Sequence, residues 1–323
     1  MEKLDKIQGC LIGGAAGDAL GYAVEFDMEN DIFGRYGNNG ITEYALRNGE
    51  ALISDDTQMT LFTAVALLKG TDYIMQINQA YLDWYETQYG SRNTGYTWLM
   101  EVKELHSPRA PGGTCLTALR NGGMGTFENP INHSKGCGGV MRVAPIGLYC
   151  REDVCLLGAK AAALTHGHEL GYIPAGMLSE LVYLIMHQEG DLKDLVINSL
   201  ENTKAVFGNK EHFAYFESLI HKAILLAEEN KNDLDCIHAL GEGWVGEEAL
   251  AIAIYSCLKY KDDFEKAIIV AVNHKGDSDS TGAIAGNILG AYLGVHAIPS
   301  KFIEHLELKD VIIKVANDLT GGF

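Results

Sequence analysis

Two short acidic motifs are the residues of this 323-residue sequence best suited to carry chemistry. Residues 54–57 read Ser-Asp-Asp-Thr and residues 277–280 read Asp-Ser-Asp-Ser, so each motif joins two carboxylates to hydroxyl groups. Hard cations such as Mg²⁺, Mn²⁺ and Ca²⁺ prefer these oxygen ligands. Each motif also precedes a predicted helix, where Ser, Thr and Asp commonly cap free backbone N–H groups. One such motif alone would indicate a cap, but the pair predicts a metal site.

Two other carboxylates and a histidine are further candidates. Asp18 and Glu25 lie two turns apart on one face of a predicted apolar helix. A carboxylate in such a helix is costly without a partner, so we expect Asp18 to form a salt bridge or a cap contact. Glu25 is at the helix end, where it could reach a site. His166 ends another predicted helix, and the glycine after it leaves room for a ligand, although most such histidines are structural.

A glycine-rich segment offers backbone donors for an anion. Residues 135–141 read Lys-Gly-Cys-Gly-Gly-Val-Met, and free N–H groups in such a segment could hold a diphosphate. The spacing matches neither a P-loop nor a dinucleotide-binding motif, so it is a weak indication by itself. The surrounding residues 106–144 have irregular glycines among Pro and Asn, which predicts a long loop that binds something.

The elements that must position these residues are predicted to be helices. Ten segments have apolar residues at three- and four-residue spacing, whereas at most residues 40–47 or 51–54 could be extended. The fold class is therefore all-α, with no evident domain boundary. The ten segments are residues 57–70, 73–89, 152–165, 176–187, 192–206, 212–230, 246–260, 262–273, 280–294 and 302–318.

Glycines recur at every fourth position in two segments, near the beginning and the end of the sequence. Glycine inside a helix costs about 1 kcal/mol relative to alanine, so four in register need a compensating contact. We predict that the two helices pack with their backbones close together. The glycines are Gly9, Gly13, Gly17 and Gly21 in the first segment and Gly282, Gly286, Gly290 and Gly294 in the second.

Composition excludes several classes of partner. The formal net charge is −18 and no run of Lys and Arg offsets it, so nucleic acid and anionic membranes are not expected partners. Seven cysteines without a CxxC pair indicate reduced thiols in a cytoplasmic protein. Residues 281–299 are nearly apolar, but they are rich in Gly and Ala and are better interpreted as a buried core helix than as a membrane span.

Taken together, the motifs resemble the ADP-ribosylglycohydrolase family, which includes the dinitrogenase-reductase-activating glycohydrolases. The resemblance rests on the segments beginning at Gly17, Ser54, Arg109, Lys135, Thr165, Gly243 and Gly276, which occur in the family's order over nearly the whole chain. It implies an orthogonal multi-helix bundle in one domain over residues 1–323. We also expect a monomer.

The resemblance further implies a centre of two divalent metal ions, Mg²⁺ or Mn²⁺. The matching ligands are Ser54, Asp55, Asp56, Asp277, Asp279 and Ser280. The loop that holds the diphosphate corresponds to Lys135, Gly136, Cys137, Gly138, Gly139, Val140 and Met141. His166 matches a residue beside the adenosine, and Glu25 matches a carboxylate at the gate of the site. Relatives often have Thr at the two metal-ligand serines and Asn at Cys137, and a small residue is usual at Lys275.

The activity implied is hydrolysis of the glycosidic bond at ribose C1, which would remove ADP-ribose from modified protein side chains, arginine being the favoured acceptor. Asp56 and Glu25 are the candidate bases toward water, and Asp279 is a further candidate catalytic residue. One alternative is a non-catalytic protein that binds ADP-ribose or a nucleotide. Another is hydrolysis of a different ADP-ribose-linked substrate, including enzymatic protection against an ADP-ribosyltransferase toxin.

Overall fold

The computed structural model describes residues 2–89 and 95–321, which form α-helices joined by loops and short 3₁₀ turns. β-Pairing in these two ranges is limited to isolated bridges, so the predicted all-α class is confirmed. The helices are α1 (Lys3–Tyr22), α2 (Glu29–Tyr36), α3 (Asp55–Leu67), α4 (Tyr73–Gln88), α5 (Gly113–Arg120), α6 (Ala144–Tyr149), α7 (Val154–Ala163), α8 (Glu169–His187), α9 (Leu192–Phe207), α10 (Phe213–Glu228), α11 (Asp233–Leu240), α12 (Gly246–Lys259), α13 (Phe264–Val272), α14 (Ser278–Leu293) and α15 (Lys309–Thr320).

Each of the ten predicted helices is present, but two begin elsewhere. Helix α8 begins at Glu169, seven residues before the predicted start, because Pro174 lies inside the helix and hides its first turns from a periodicity argument. Helix α15 begins at Lys309, because residues 302–308 form turns around a Leu308 with positive φ. The possible extended segments 40–47 and 51–54 contain only single bridges, Arg47 to Glu50 and Ala51 to Leu306.

The prediction of a continuous loop over residues 106–144 is wrong in its centre. Helix α5 occupies Gly113–Arg120 and buries Cys115, Ala118 and Leu119 on one face, at the three- and four-residue spacing of a helix. An eight-residue helix has too short an apolar pattern to be distinguished from the glycine-rich sequence around it. Helices α2, α6 and α11 were not predicted for the same reason, since each has eight residues or fewer.

Helices α1 and α14 pack against each other along their glycines, as predicted. The pairs are Gly9 with Gly290, Gly13 with Gly286, Gly17 with Gly282, and Gly21 with Ser278, so the two helices are antiparallel. A Cβ on Gly286 would lie 1.9 Å from the Gly13 carbonyl oxygen. Side chains larger than hydrogen therefore cannot be accommodated without separating the helices. Gly294 is the exception in the pattern, because it ends α14 with a φ of +83° and is not part of the helix.

Helix α14 is buried along most of its length, and Asn287 donates to the Cys10 carbonyl oxygen at 2.8 Å. The apolar stretch that begins at Thr281 is therefore a core helix, as predicted. Over the two described ranges, no helix is both long enough and apolar enough to cross a membrane.

Candidate active site

The paired glycines bring three carboxylates together at one end of the α1–α14 contact. Gly21 lies so close to α14 that a Cβ there would be 2.2 Å from the Ser278 carbonyl oxygen. The chain then leaves α1 and places Glu25 beside Asp277 and Asp279, at the first turn of α14. Each of these three buried side chains offers one oxygen, and the three oxygens lie within 4.8 Å of one another. Such a group could hold a metal ion.

Asp18 fixes the beginning of α3 against α1. Its fully buried carboxylate accepts hydrogen bonds from the Ser54 N–H at 3.0 Å, from the Thr57 N–H at 3.1 Å and from the Thr57 hydroxyl. This is the cap contact predicted for Asp18. Burial raises the Asp18 pKa to about 6, against the opposing effect of these hydrogen bonds. The acidic motif at residues 54–57 is thereby held in one position relative to α1.

Both acidic motifs cap their helices, and the first of them still presents a free carboxylate oxygen. The Ser54 hydroxyl accepts from the Asp56 N–H at 3.2 Å, and Asp277 Oδ1 accepts from the Ser280 N–H at 3.3 Å. Asp55 Oδ2 accepts from the Gly112 N–H at 3.1 Å. Among the described residues, however, Asp56 Oδ2 and Glu25 Oε2 are buried without any hydrogen-bond partner. A buried carboxylate oxygen without a partner is costly, and a cation would compensate that cost.

The electrostatics of the cluster also favour a cation. Burial, followed by the charges of Asp277 and Asp55, raises the Glu25 pKa to about 9. Burial also raises the Asp55 pKa to about 8, and the pKa values of Asp56 and Asp279 lie well above the usual range. Since these carboxyl groups repel one another, bound divalent ions would lower all four pKa values.

The predicted diphosphate loop packs against the loop that precedes α12. The Cys137 N–H donates to the Trp244 carbonyl oxygen at 3.2 Å, and the Gly246 N–H donates to the Lys135 carbonyl oxygen at 2.8 Å. The Cys137 thiol lies 2.7 Å from Asp277 Oδ2, which ties this loop to the carboxylate cluster. Val140 and Met141 are buried behind it, and the Ser280 hydroxyl faces Met141 Sδ at 4.0 Å.

Two predicted binding residues have surroundings that the sequence did not indicate. Lys135 Nζ pairs with Glu247 Oε1 at 2.7 Å, so its charge is already compensated by a fully buried carboxylate. His166 is buried beneath the loop, and Cβ atoms on Gly136 and Gly138 would lie 3.4 and 3.3 Å from its Nε2. Burial, aided by the charge of Arg142, lowers the His166 pKa to about 3, so the imidazole is neutral.

Sequence reasoning missed four residues at the site. Glu247 could have been found as an acid in the first turn of a predicted helix, and Arg142 as the only charge in an apolar segment.

Phe26 and Trp244 form a stacked pair with ring centres 6.3 Å apart, and they are 72% and 40% exposed. The pair lies at the rim of the cluster, because Phe26 follows Glu25 and Gly243 contacts Asp277. No spacing rule would have paired these two rings.

The site is therefore a buried carboxylate cluster at the N-termini of two helices in an all-helical fold. A family model described as ADP-ribosylglycohydrolase matches residues 1–323. The chain therefore belongs to the ADP-ribosylglycohydrolase family, and the predicted enzyme class, a glycosidic bond hydrolase, is confirmed.

Individual relatives cover nearly the whole chain at low identity. ADP-ribosylhydrolase ARH3 of Gallus gallus is 25% identical, over 97% of this chain and 92% of its own. ADP-ribosyl-[dinitrogen reductase] glycohydrolase of Rhodospirillum rubrum is 26% identical, over 94% and 91%. ADP-ribosylarginine hydrolase Tri1 of Pseudomonas putida is 24% identical, over 98% and 78%. A solved structure, an ADP-ribosylglycohydrolase-related protein complex, has a TM-score of 0.67 at 23% identity over 99% of each chain, which confirms the fold.

Proposed function

We propose that this protein is a metal-dependent hydrolase that removes ADP-ribose from modified protein side chains, with arginine as the favoured acceptor. The bond cleaved is the glycosidic bond at ribose C1. The observation that carries the proposal is the buried group of Glu25, Asp277 and Asp279, whose oxygens lie within 4.8 Å of one another in a chain of this family. The names of its relatives, which include hydrolases of ADP-ribosylarginine and of ADP-ribosylated dinitrogen reductase, support the substrate class.

The proposed cofactors are two divalent ions, Mg²⁺ or Mn²⁺. The unpartnered oxygens of Asp56 and Glu25 support this assignment, because the side chains of this protein leave them uncompensated. When bound, such ions hold hydroxyl oxygens, lower the pKa of water and stabilise developing negative charge. The proposed ligands are Ser54, Asp55, Asp56, Asp277, Asp279 and Ser280.

The proposed bases toward water are Asp56 and Glu25, with Asp279 beside them. A base must be ionised, whereas the cluster without a cation holds the Glu25 pKa at about 9. Burial and then the charges of Asp277 and Asp55 raise this pKa, so a bound cation that offsets both effects would favour the ionised, basic form of Glu25. Glu25 lies in the turn after α1 and immediately before Phe26, which is 72% exposed, and this neighbourhood supports a position at the gate of the site.

The preference for arginine is supported by the rim of the site. A guanidinium group is planar and cationic, and it stacks on the faces of aromatic rings. The exposed rings of Phe26 and Trp244 offer such faces beside an acidic cluster. The nearby Lys275 is paired with Glu242 at 2.8 Å, so it places no uncompensated charge against a cationic acceptor. A serine linkage carries no cationic group that could stack on this pair of rings.

The remaining assignments are proposals of the same kind. Residues 135–141 are proposed to hold the diphosphate, with His166 near the adenosine. The contact of α1 with α14 joins the two ends of the chain, which supports a single domain over residues 1–323. All seven cysteines are free, in agreement with a reducing, cytoplasmic environment. We propose a monomer, for which sedimentation is the test.

Release of ADP-ribose from arginine-linked and serine-linked protein substrates, with and without Mg²⁺ or Mn²⁺, tests the proposal. Asp279→Asn should abolish turnover, and chelation of metal should do the same. Asp72→Asn is the matched control, because the Asp72 carboxylate caps α4 and is exposed on the surface. Unchanged turnover in Asp279→Asn or in metal-stripped protein would refute the mechanism. Calorimetric binding of ADP-ribose without any turnover would instead favour the non-catalytic alternative.

Variants of the aromatic pair test the acceptor. Trp244→Ala should lower kcat/KM for the arginine-linked substrate about two- to fivefold, as expected for the loss of an exposed cation–π contact of ~0.5–1 kcal/mol. The serine-linked substrate should be affected much less. Tyr89→Ala, which removes a 62% exposed ring of the Tyr85–Tyr89 pair on α4, is the control. An equal loss for both substrates would contradict the assignment to arginine.

A further inference from the structure

Among the described residues, a buried arginine without a carboxylate partner lies behind the proposed diphosphate loop. The Arg142 side chain is fully buried, and its guanidinium carbon is 4.3 Å from the centre of the Tyr81 ring. Its other partners are the Ala161 carbonyl oxygen, the Thr165 hydroxyl and the sulfur atoms of Met59 and Cys115. A buried charge is costly without compensation, so a guanidinium with only neutral partners calls for a reason beyond packing.

The shortest of these contacts leads to His166. Arg142 Nη2 donates to Thr165 Oγ1 at 2.6 Å, and Thr165 Oγ1 lies 2.8 Å from His166 Nδ1. Arginine can only donate, so the Thr165 oxygen accepts this bond and keeps one proton of its own to donate. That proton can go to His166 Nδ1 at 2.8 Å or to the Ala162 carbonyl oxygen at 3.4 Å. The shorter contact is the better hydrogen bond, which makes Nδ1 an acceptor.

The charge of Arg142 favours the same assignment. A guanidinium behind Thr165 attracts the lone pair of Nδ1 and would repel a proton placed there. The imidazole is neutral, because burial and Arg142 lower its pKa to about 3. A neutral imidazole has one N–H, and with Nδ1 as acceptor this proton is on Nε2.

Nε2 is also the ring nitrogen nearest the loop. Cβ atoms on Gly136 and Gly138 would lie 3.4 and 3.3 Å from it, so any side chain at either position would cover this donor. Glycine at both positions keeps loop side chains away from Nε2, while His166 as a whole is 1% exposed. Lys135, the other nearby cation, is paired with Glu247, whereas no carboxylate of the described residues forms an ion pair with Arg142.

We infer that Arg142 and Thr165 are positioning residues that fix His166 as the Nε2–H tautomer, so that it donates a hydrogen bond to an anionic phosphate oxygen held at residues 136–138. The tautomer follows from the contacts of this chain alone. The choice of a diphosphate as the acceptor rests on the proposed function.

Thr165→Val tests the relay, because it removes the hydroxyl and keeps the shape of the side chain and the charge of Arg142. In the wild-type protein the ¹⁵N resonances of His166 should show a protonated Nε2 and an unprotonated Nδ1 between pH 6 and 8. Thr165→Val should shift the ring toward a mixture of tautomers, and Thr165→Ser should restore the wild-type pattern. Thr203→Val is the matched control, since Thr203 is also fully buried and donates to a helical carbonyl oxygen at 2.7 Å.

Affinity for ADP-ribose, measured by calorimetry, tests the ligand. Thr165→Val should weaken binding about tenfold, the loss of roughly one hydrogen bond, and kcat at saturating substrate should change little. Thr203→Val should match the wild type. An unchanged His166 tautomer in Thr165→Val would overturn the relay, and a changed tautomer with unchanged affinity would overturn the assignment to phosphate. No binding of ADP-ribose by the wild type would refute the proposed function and this assignment together, while the resonances would still decide the relay.

Discussion

Alanine substitutions at the two ends of the α1–α14 contact should separate the stability of the fold from the assembly of the site. Gly9 and Gly21 are both in α1, and both contact the backbone of α14. A Cβ on Gly9 would lie 2.1 Å from the Gly290 carbonyl oxygen, and one on Gly21 would lie 2.2 Å from that of Ser278. The two clashes are nearly equal, but only Gly21 is next to the carboxylate cluster.

The expected magnitude follows from these distances. Cβ atoms essentially never approach another heavy atom closer than 3.0 Å, so each alanine must move the helices apart locally by roughly 1 Å. Overpacking of this kind costs about 1–3 kcal/mol, against a gain of up to ~1 kcal/mol in helix propensity. We therefore expect each variant to lose about 1–2 kcal/mol in the free energy of unfolding.

Urea denaturation followed by circular dichroism measures this loss, and calorimetric titration with Mn²⁺ measures the site. Gly9→Ala and Gly21→Ala should unfold at similarly lowered urea concentrations, but only Gly21→Ala should lose metal affinity. Gly34→Ala in α2 is the control, because a Cβ there meets nothing within 4 Å and should stabilise by up to ~1 kcal/mol. Stability of Gly9→Ala equal to that of Gly34→Ala would refute the close-packing argument. Equal Mn²⁺ affinity in Gly9→Ala and Gly21→Ala would refute the link to the site.

Three further predictions concern the charged groups of the site. Without metal, the free energy of unfolding should fall as pH rises from about 6.5 to 9, because Glu25 and Asp55 have pKa values of about 9 and about 8 in the folded protein and bind protons more tightly there than when unfolded. Saturating Mn²⁺ should remove this slope, and a slope that persists would contradict it. Asp18→Ala should cost about 2–4 kcal/mol in urea denaturation, because three buried donors lose their acceptor, whereas Asp18→Asn, which keeps one acceptor oxygen, should cost less. Cys137 should resist iodoacetamide at pH 8, because burial and the charge of Asp277 raise its thiol pKa, and rapid alkylation located by mass spectrometry would contradict this.

The fold was predictable from the sequence where a pattern was long enough. The glycines of α1 and α14 predicted not only two helices but their contact, because glycine at every fourth position is costly unless another backbone lies against it. Helix α5 shows the limit of this reasoning, since eight residues among glycines give too few turns for periodicity. In α8, Pro174 conceals a helix that packing stabilises despite the lost hydrogen bond.

The composition of the candidate site was predictable, but its charge pairing was not. The acidic motifs and the glycine-rich loop could be identified from residue types alone. The ion pair of Lys135 with Glu247 joins residues 112 positions apart, and the stacking of Phe26 on Trp244 joins distant loops. The local sequence around Lys135 gives no sign of Glu247, and the local sequence around Phe26 gives no sign of Trp244. Only the tertiary structure shows that the charge of Lys135 is already compensated.

The two predictions about residues 54–57 and 277–280, a helix cap and a metal site, are complementary. Capping uses the Ser54 hydroxyl and one oxygen of Asp277, and it fixes the direction of the neighbouring carboxylates. Burial is the main reason why the pKa values of Asp56 and Asp279 are raised, and the repulsion between carboxylates that cannot move apart raises them further. Holding the carboxylates together costs free energy, which other contacts of the fold must offset. The close contact of α1 with α14 ends beside these carboxylates. A cation at the cluster would relieve the repulsion, so metal binding and stability should increase together.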